Sequence, residues 1–429
     1  MKQDQFILLD GAMGTMLQAA GLPAGALPEV WNITHPEVVT GIQKQYVDAG
    51  SNVIYANTFG ANRLKLSGCG YSVAQVVSAG IAAAKKAAEG TDTKVALDIG
   101  PLGQLMAPLG MLSFEEVYDI FREMLVSGEQ AGADLVIFET MGDLREVKAG
   151  VLAAKENTSL PIWATMTYEK SGRTYVGVSV PAMALTLSAF GVEAMGFNCS
   201  LGPKELMTMV AELSKWTDKP IILKPNAGLP DSVTGAYAIT PEEFVREVTP
   251  AAKLGVHIFG GCCGTGPQYI EALKNAFSAM SPAEKADKVH SGVSSASVAV
   301  EFAEIEEIGN TICPDNGEVL EAATDEDYDT LCDLAMEDMD EDAQIISLWL
   351  PEENEEETLP RAVQEIQAVV HTPLLLRAHS AAALEKALRV YNGRPGVYAD
   401  SPEALELCKK YGAAPAKLDE NGEMIWLSV

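Results

Sequence analysis

Short apolar runs alternate with longer segments of helical periodicity, and the alternation repeats eight times before residue 283. The runs cover residues 6–10, 52–58, 94–100, 135–140, 161–168, 194–200, 220–228 and 257–265. Amphipathic helical patterns fall between them, among them 37–49, 113–131, 143–157, 203–216 and 241–254. Gly255 stands as a stop signal after the last of these, and a helix over 267–280 closes the series. Eight successive β/α units predict an α/β fold, a TIM (β/α)8 barrel over residues 1–283. In such a barrel the C-terminal strand ends share one face and carry the active site. Here those ends are Asp10-Gly11, Asn57-Thr58, Asp98, Glu139-Thr140, Asn198-Cys199, Asn226 and Cys262-Cys263.

Beyond the barrel the pattern changes twice. Residues 284–300, with Ser291-Gly292-Val293-Ser294-Ser295-Ala296-Ser297, have the composition of a flexible linker. Helical patterns near 325–336, 359–370, 381–390 and 402–411 then alternate with apolar runs at 344–350, 373–376 and 396–398. They predict a second, smaller α/β module over residues 301–429. Charge marks the same boundary. Residues 301–429 hold 30 acidic and 8 basic side chains, a balance of −22 within a chain total of −30. So acidic a chain is a poor match for nucleic acid or an anionic membrane surface. The most apolar long window, 178–197, contains Pro181, Gly191 and Glu193 and reads as a buried helix plus a strand rather than a membrane span. Lys2, Asp4 and Asp10 flank too short an apolar run for a secretory leader, so a cytoplasmic location is expected. Seven cysteines, an odd number in a long chain, do not suggest a disulfide framework.

Three of those cysteines carry candidate chemistry. Phe259-Gly260-Gly261-Cys262-Cys263-Gly264-Thr265 places two adjacent thiols inside a cage of glycines, straight after an apolar run. Neighbouring strand residues point to opposite faces, so both sulfurs reach one point only if the chain kinks, which glycine permits. Cys199, in Phe197-Asn198-Cys199-Ser200, ends another run. Three thiolates with one open position suit a catalytic Zn²⁺. The competing readings are packed, inert thiols and a strained vicinal disulfide. Cys69, Cys313, Cys332 and Cys408 lack ligand-like spacing, and His257, inside a strand run, reads as a satisfied core histidine. The methionines Met13, Met16, Met106, Met111 and Met141 read as fillers of apolar gaps.

Six ordered motifs carry a resemblance. They are Leu9-Asp10-Gly11-Ala12-Met13-Gly14-Thr15, Asn57-Thr58-Phe59-Gly60-Ala61-Asn62, Glu139-Thr140-Met141, Asn198-Cys199-Ser200, Lys224-Pro225-Asn226-Ala227-Gly228 and Gly260-Gly261-Cys262-Cys263-Gly264-Thr265. Over residues 5–282 the chain resembles the homocysteine S-methyltransferase family, above all the homocysteine-binding module that opens the cobalamin-dependent methionine synthases. The resemblance implies that Cys199, Cys262 and Cys263 bind zinc and that Asn226 completes the metal shell when substrate is absent. It also implies homocysteine as the methyl acceptor, with Glu139 meeting its ammonium. The glycine-rich turn of Asp10, Gly11 and Thr15 offers backbone donors for its carboxylate. For Asp10 a turn cap, for Glu139 a helix-start carboxylate, and for Asn57 and Thr58 a plain strand-end turn are the bland alternatives.

The second module resembles the start of the pterin-binding domain of those synthases, through Ile308-Gly309-Asn310, 360–367 and Tyr391-Asn392-Gly393-Arg394-Pro395. It departs from that pattern at Ser347-Leu348-Trp349-Leu350 and Leu376-Arg377-Ala378-His379, and is about half a barrel long. Folate binding is therefore not expected of it, and a docking or dimerising remnant is. None of the five histidines sits in a cobalamin-binding Asp-x-His-x-x-Gly motif, so a methylcobalamin donor would ride on a separate corrinoid protein. The alternatives are a small-molecule donor such as S-methylmethionine or a betaine, and a non-catalytic zinc- or amino-acid-binding subunit.

Overall fold

The computed structural model describes residues 5–231, 237–283, 289–420 and 424–427. Eight parallel strands form the predicted barrel: β1 (Ile7–Leu8), β2 (Val53–Tyr55), β3 (Lys94–Ile99), β4 (Leu135–Met141), β5 (Ile162–Met166), β6 (Ala194–Asn198), β7 (Ile221–Lys224) and β8 (Val256–Phe259). They run in the order β1-β8-β7-β6-β5-β4-β3-β2. The strands are apolar on both faces because one face packs inside the barrel and the other under helices. Leu9, Tyr55, Ala96, Ile137, Trp163, Ile222 and Ile258 form part of one buried cluster. Several strands stop short of the apolar runs, since the backbone leaves the ladder where it turns toward the site.

The seam between β1 and β2 is closed by one backbone hydrogen bond and two side-chain ones rather than a regular strand ladder. Asn52 donates its backbone N–H to the Leu8 carbonyl at 2.7 Å, and its Oδ1 accepts the Leu8 N–H at 2.8 Å. Asp10 Oδ2 accepts the Tyr55 N–H at 2.7 Å. One polar residue on each side thus supplies hydrogen bonds that a regular pair would make.

Helix starts follow local sequence. Ser72 with Gln75 and Ser113 with Glu116 form reciprocal capping boxes for helices Val73–Ala87 and Phe114–Gln130. Asp143 and Thr240 accept backbone N–H groups at the starts of Leu144–Asn157 and Pro241–Val248. His257 needs no metal, since its Nδ1 lies 2.7 Å from the Gly255 carbonyl. Among the methionines, Met106 and Met141 are buried as expected, but Met111 is 92% exposed. Among the described residues no helix is long and apolar enough to cross a membrane.

Chain contacts group Gly177–Gly191, which lies between β5 and β6 in sequence, with Lys288–Val429 as a second compact unit. That unit contains helix Val180–Ala189, the antiparallel pair β9 (Gly292–Ser294) and β10 (Ala299–Glu301), and a six-stranded sheet. The sheet comprises β11 (Ile308–Gly309), β12 (Ile345–Trp349), β13 (Leu374–Arg377), β14 (Gly396–Tyr398), β15 (Ala414–Leu418) and β16 (Met424–Trp426), parallel except at its last pair. The serine-rich stretch read as a linker is packed from residue 289 onward, while 284–288 lie outside the described residues. Val293 is fully buried, Ser294 exchanges backbone hydrogen bonds with Arg394, and Ser295 Oγ donates to the His371 carbonyl at 2.6 Å. Small hydroxyl side chains here close hydrogen bonds that composition alone reads as solvated.

Candidate active site

The C-terminal strand ends converge on a cavity of about 240 Å³, and three sulfurs lie at its edge. Cys199, Cys262 and Cys263 place their sulfurs within 4.8 Å of one another, and Cys199 Sγ is 3.8 Å from Cys263 Sγ. Sulfurs on a tetrahedral zinc at about 2.3 Å lie about 3.8 Å apart. Among the described residues no other cluster of this kind occurs, and the remaining four cysteines take no part.

Each sulfur is aimed by unusual backbone. Cys199 and Ser200 both adopt left-handed conformations, with φ of 61° and 43°, each costing about 1–3 kcal/mol. The turn is held because Leu201 donates to the Cys199 carbonyl at 2.6 Å and Ser200 Oγ donates to the Tyr168 carbonyl at 2.8 Å. On the other side, Cys262 N–H donates to the Pro225 carbonyl, and Thr265 Oγ1 donates to the Cys262 carbonyl at 2.6 Å. Gly264 has φ of 81°, and a Cβ there would lie 2.4 Å from Cγ of Tyr237. Any larger residue there would collide with the Tyr237 side chain, which packs against this turn.

Asn198 binds the two halves together. Its Oδ1 accepts the Thr140 N–H at 2.7 Å and the Thr165 hydroxyl at 2.8 Å. Its Nδ2 faces Thr140 Oγ1 at 2.7 Å, Glu139 Oε2 at 3.3 Å and Cys262 Sγ at 3.9 Å. Register shifts between Phe138 and Met141, and Thr140 has φ of 60°. This irregularity turns Glu139 into the cavity.

A buried charge cluster occupies the floor. Lys224 is 3% exposed and lies 3.6 Å from both Asp10 Oδ1 and Glu139 Oε2, with its ammonium 4.5 Å from the centre of the Tyr55 ring. Burial pushes the Asp10 and Glu139 carboxyls up to about 7 against the pull of Lys224. Burial likewise opposes the charge on Lys224, but the two carboxylates outweigh it and hold the ammonium well above its ordinary range. Three thiols packed together face the converse problem. They cannot all ionise without added positive charge, which is what a divalent metal supplies. The donor set and the sulfur spacing therefore both fit zinc.

The structure brings most of the sequence-derived candidates to this cavity. Asp10, Gly11, Thr15, Asn57, Glu139 and the three cysteines line it. Thr58 does not: it is fully buried, donates Oγ1 to the Asp98 carbonyl and straps β2 to β3. Asn57 also braces the segment that carries Pro28 beside the cavity, its Nδ2 donating to the Pro28 carbonyl and to Asn32 Oδ1, each at 2.8 Å. Asn226 is buried beside the sulfurs, and its Oδ1 accepts the Cys263 N–H at 3.1 Å. Sequence reasoning gave no role to Lys224, Asn198 or Asp98. The signal available for Lys224 was a cation at the end of Ile221-Ile222-Leu223 matched by acids at three other strand ends.

Comparisons with known proteins agree with this geometry. The model of the family described as "Homocysteine S-methyltransferase" matches residues 7–277. Methionine synthases of Mycobacterium tuberculosis (strain ATCC 25618 / H37Rv) and Mycobacterium leprae (strain TN) are each 29% identical over 96% of the chain, which spans 38% of their length. The homocysteine methyltransferase MmuM of Escherichia coli, solved in oxidized and metallated forms, shares the fold at TM-score 0.54. The two forms are 22% and 24% identical, covering 63% of this chain and 96% of that one. With eight parallel strands, six motifs at their ends and a family match running from the first strand to the last barrel helix, the chain belongs to the homocysteine S-methyltransferase family.

Proposed function

We propose that the barrel binds zinc through Cys199, Cys262 and Cys263 and methylates the thiol of L-homocysteine to give methionine. The observation that carries this reading is the approach of three sulfurs within 4.8 Å at the edge of a cavity lined by carboxylates. A bound Zn²⁺ would supply a Lewis acid that keeps the substrate sulfur in its thiolate form at neutral pH.

The protein's own residues do the rest. Asn226 holds the Cys263 backbone and, in this reading, completes the metal shell in the absence of substrate. Glu139 takes the substrate ammonium, and backbone N–H groups of the Asp10–Thr15 turn take its carboxylate. Asn57 braces the segment around Pro28 and Asn32 that borders the substrate cavity. Net transfer forms one S–CH₃ bond, breaks the donor–CH₃ bond and releases the thiol proton. No side chain is required as a general base for a sulfur already ionised.

The methyl donor in this reading is a methylcorrinoid carried by a partner protein, and the location is cytoplasmic. Similarity to methionine synthases over 96% of the chain supports the donor assignment. Metal analysis of the unaltered protein and of Cys199→Ala, followed by homocysteine methylation from methylcobalamin, S-methylmethionine or betaine, tests it. One zinc per chain, its loss in the variant, and turnover with methylcobalamin are expected. Zinc binding without turnover from any donor would make the chain a non-catalytic subunit instead.

A further inference from the structure

Four carboxylates line the cavity, and three of them already have partners; Glu29 Oε1 accepts the Gly60 N–H at 2.7 Å. Asp10 and Glu139 share Lys224 at 3.6 Å each, and Asp10 Oδ2 also accepts the Tyr55 N–H. Asp98, at the end of β3, differs from all three. It is 6% exposed, its carboxylate makes no hydrogen bond and no ion pair among the described residues, and Oδ1 is fully enclosed. Its backbone is fixed on both sides, because Thr58 Oγ1 donates to the Asp98 carbonyl at 2.8 Å and lies 3.1 Å from the Asp98 N–H. The backbone from which the side chain projects is therefore fixed in β3.

A buried carboxylate without a cation is costly, and folded proteins rarely keep one without a ligand to meet it. Burial first, and the Glu139 charge next, hold the Asp98 carboxyl well above the usual carboxylate range, with the Lys224 charge opposing them only in part. The Tyr55 hydroxyl, lining the same cavity, is likewise enclosed without a partner.

We propose that Asp98 is a substrate-binding residue, the counter-ion that receives the ammonium group of an α-amino thiol and selects it over thiols lacking that group. This rests on the reading of the cavity as a homocysteine site. Glu139 and Asp10 are already neutralised in part by Lys224 and Glu29 is held by the Gly60 N–H, so an incoming ammonium finds at Asp98 the lining carboxylate with no hydrogen-bond partner. An ammonium carries three N–H donors, and Glu139 and Asp98 can accept two of them from one nitrogen. A thiol without the amino group would leave Asp98 buried and unpaired, which is how a polar site rejects an analogue.

The test is calorimetric binding of homocysteine and of 4-mercaptobutanoate, its amino-free analogue, to the zinc-loaded full chain and to Asp98→Asn and Asp98→Ser. The unaltered protein is expected to prefer homocysteine. Both variants should lose homocysteine affinity roughly 10- to 100-fold while binding 4-mercaptobutanoate within about threefold of the unaltered protein. Zinc content and thermal unfolding, read alongside, should match the unaltered protein or exceed its stability, since a buried, unpartnered carboxyl is removed. An unchanged preference in either folded variant, or an equal loss of both ligands, would overturn the assignment. If the unaltered protein binds homocysteine but does not prefer it over the analogue, the selection role fails while the site reading stands. If it binds neither thiol, the site reading falls and this inference with it.

Discussion

Glu146 tests whether burial governs the acids of this barrel. It lies in helix Leu144–Asn157, is 3% exposed, and its Oε1 accepts the Leu102 N–H at 2.7 Å. Burial pushes its carboxyl from 4.5 up to about 7, the Leu102 hydrogen bond opposing and the Asp143 charge reinforcing. The sign follows from proton binding: between those values the folded state holds a proton that the unfolded chain has lost. Stability is therefore lost as pH rises through this window. At about 1.4 kcal/mol per pH unit, the cost is about 3 kcal/mol at pH 8 and below about 1 kcal/mol at pH 5. Glu146→Gln keeps an acceptor for Leu102 but has no proton to lose. Any packing cost of the amide is the same at both pH values, so the difference between them isolates the charge. Urea unfolding of variant and unaltered protein should show the variant gaining about 2–3 kcal/mol more at pH 8 than at pH 5. A difference under about 0.5 kcal/mol would refute the assignment of a buried, reluctantly ionised carboxylate.

Lys224→Met strands Asp10 and Glu139, and should cost about 3–5 kcal/mol in urea unfolding at pH 8, less at pH 6 where both carboxyls are largely protonated. An equal loss at both values would argue against the ion cluster. Gly196→Ala should abolish folding of the barrel, because its Cβ would sit 1.9 Å from the Ile222 carbonyl oxygen across β6 and β7; circular dichroism of the soluble fraction reads this out. Chelation of the zinc-loaded protein should raise the number of thiols reactive toward an aromatic disulfide by three, and serine replacement of Cys69, Cys313, Cys332 or Cys408 should leave that increment unchanged.

Much of the barrel was legible because each β/α unit repeats a local pattern that no other part of the chain needs to complete. The three cysteines were legible too, since two adjacent thiols among glycines are a poor packing choice. Lys224 was not, because a lone lysine after Ile221-Ile222-Leu223 reads as a solvated strand end. Its burial makes sense only once acids from β1 and β4 arrive beside it. Asp98 was placed at an active-face strand end but given no role, because within Leu97-Asp98-Ile99 nothing local distinguishes a cavity-facing acid from a capped one. The stretch around Ser295 was misread because its contacts, with His371 and Arg394, lie far along the chain. The closing of β1 onto β2 through Asn52 likewise depends on two residues meeting across the seam.

The central claim is that three sulfurs hold one zinc and leave room for a fourth sulfur from the substrate. Zinc-edge X-ray absorption of the loaded protein, before and after addition of homocysteine, addresses it most directly. The account predicts three sulfur neighbours at about 2.3 Å that become four when homocysteine is added. Fewer than three sulfurs in the free protein, or a shell unchanged by saturating homocysteine, would contradict it.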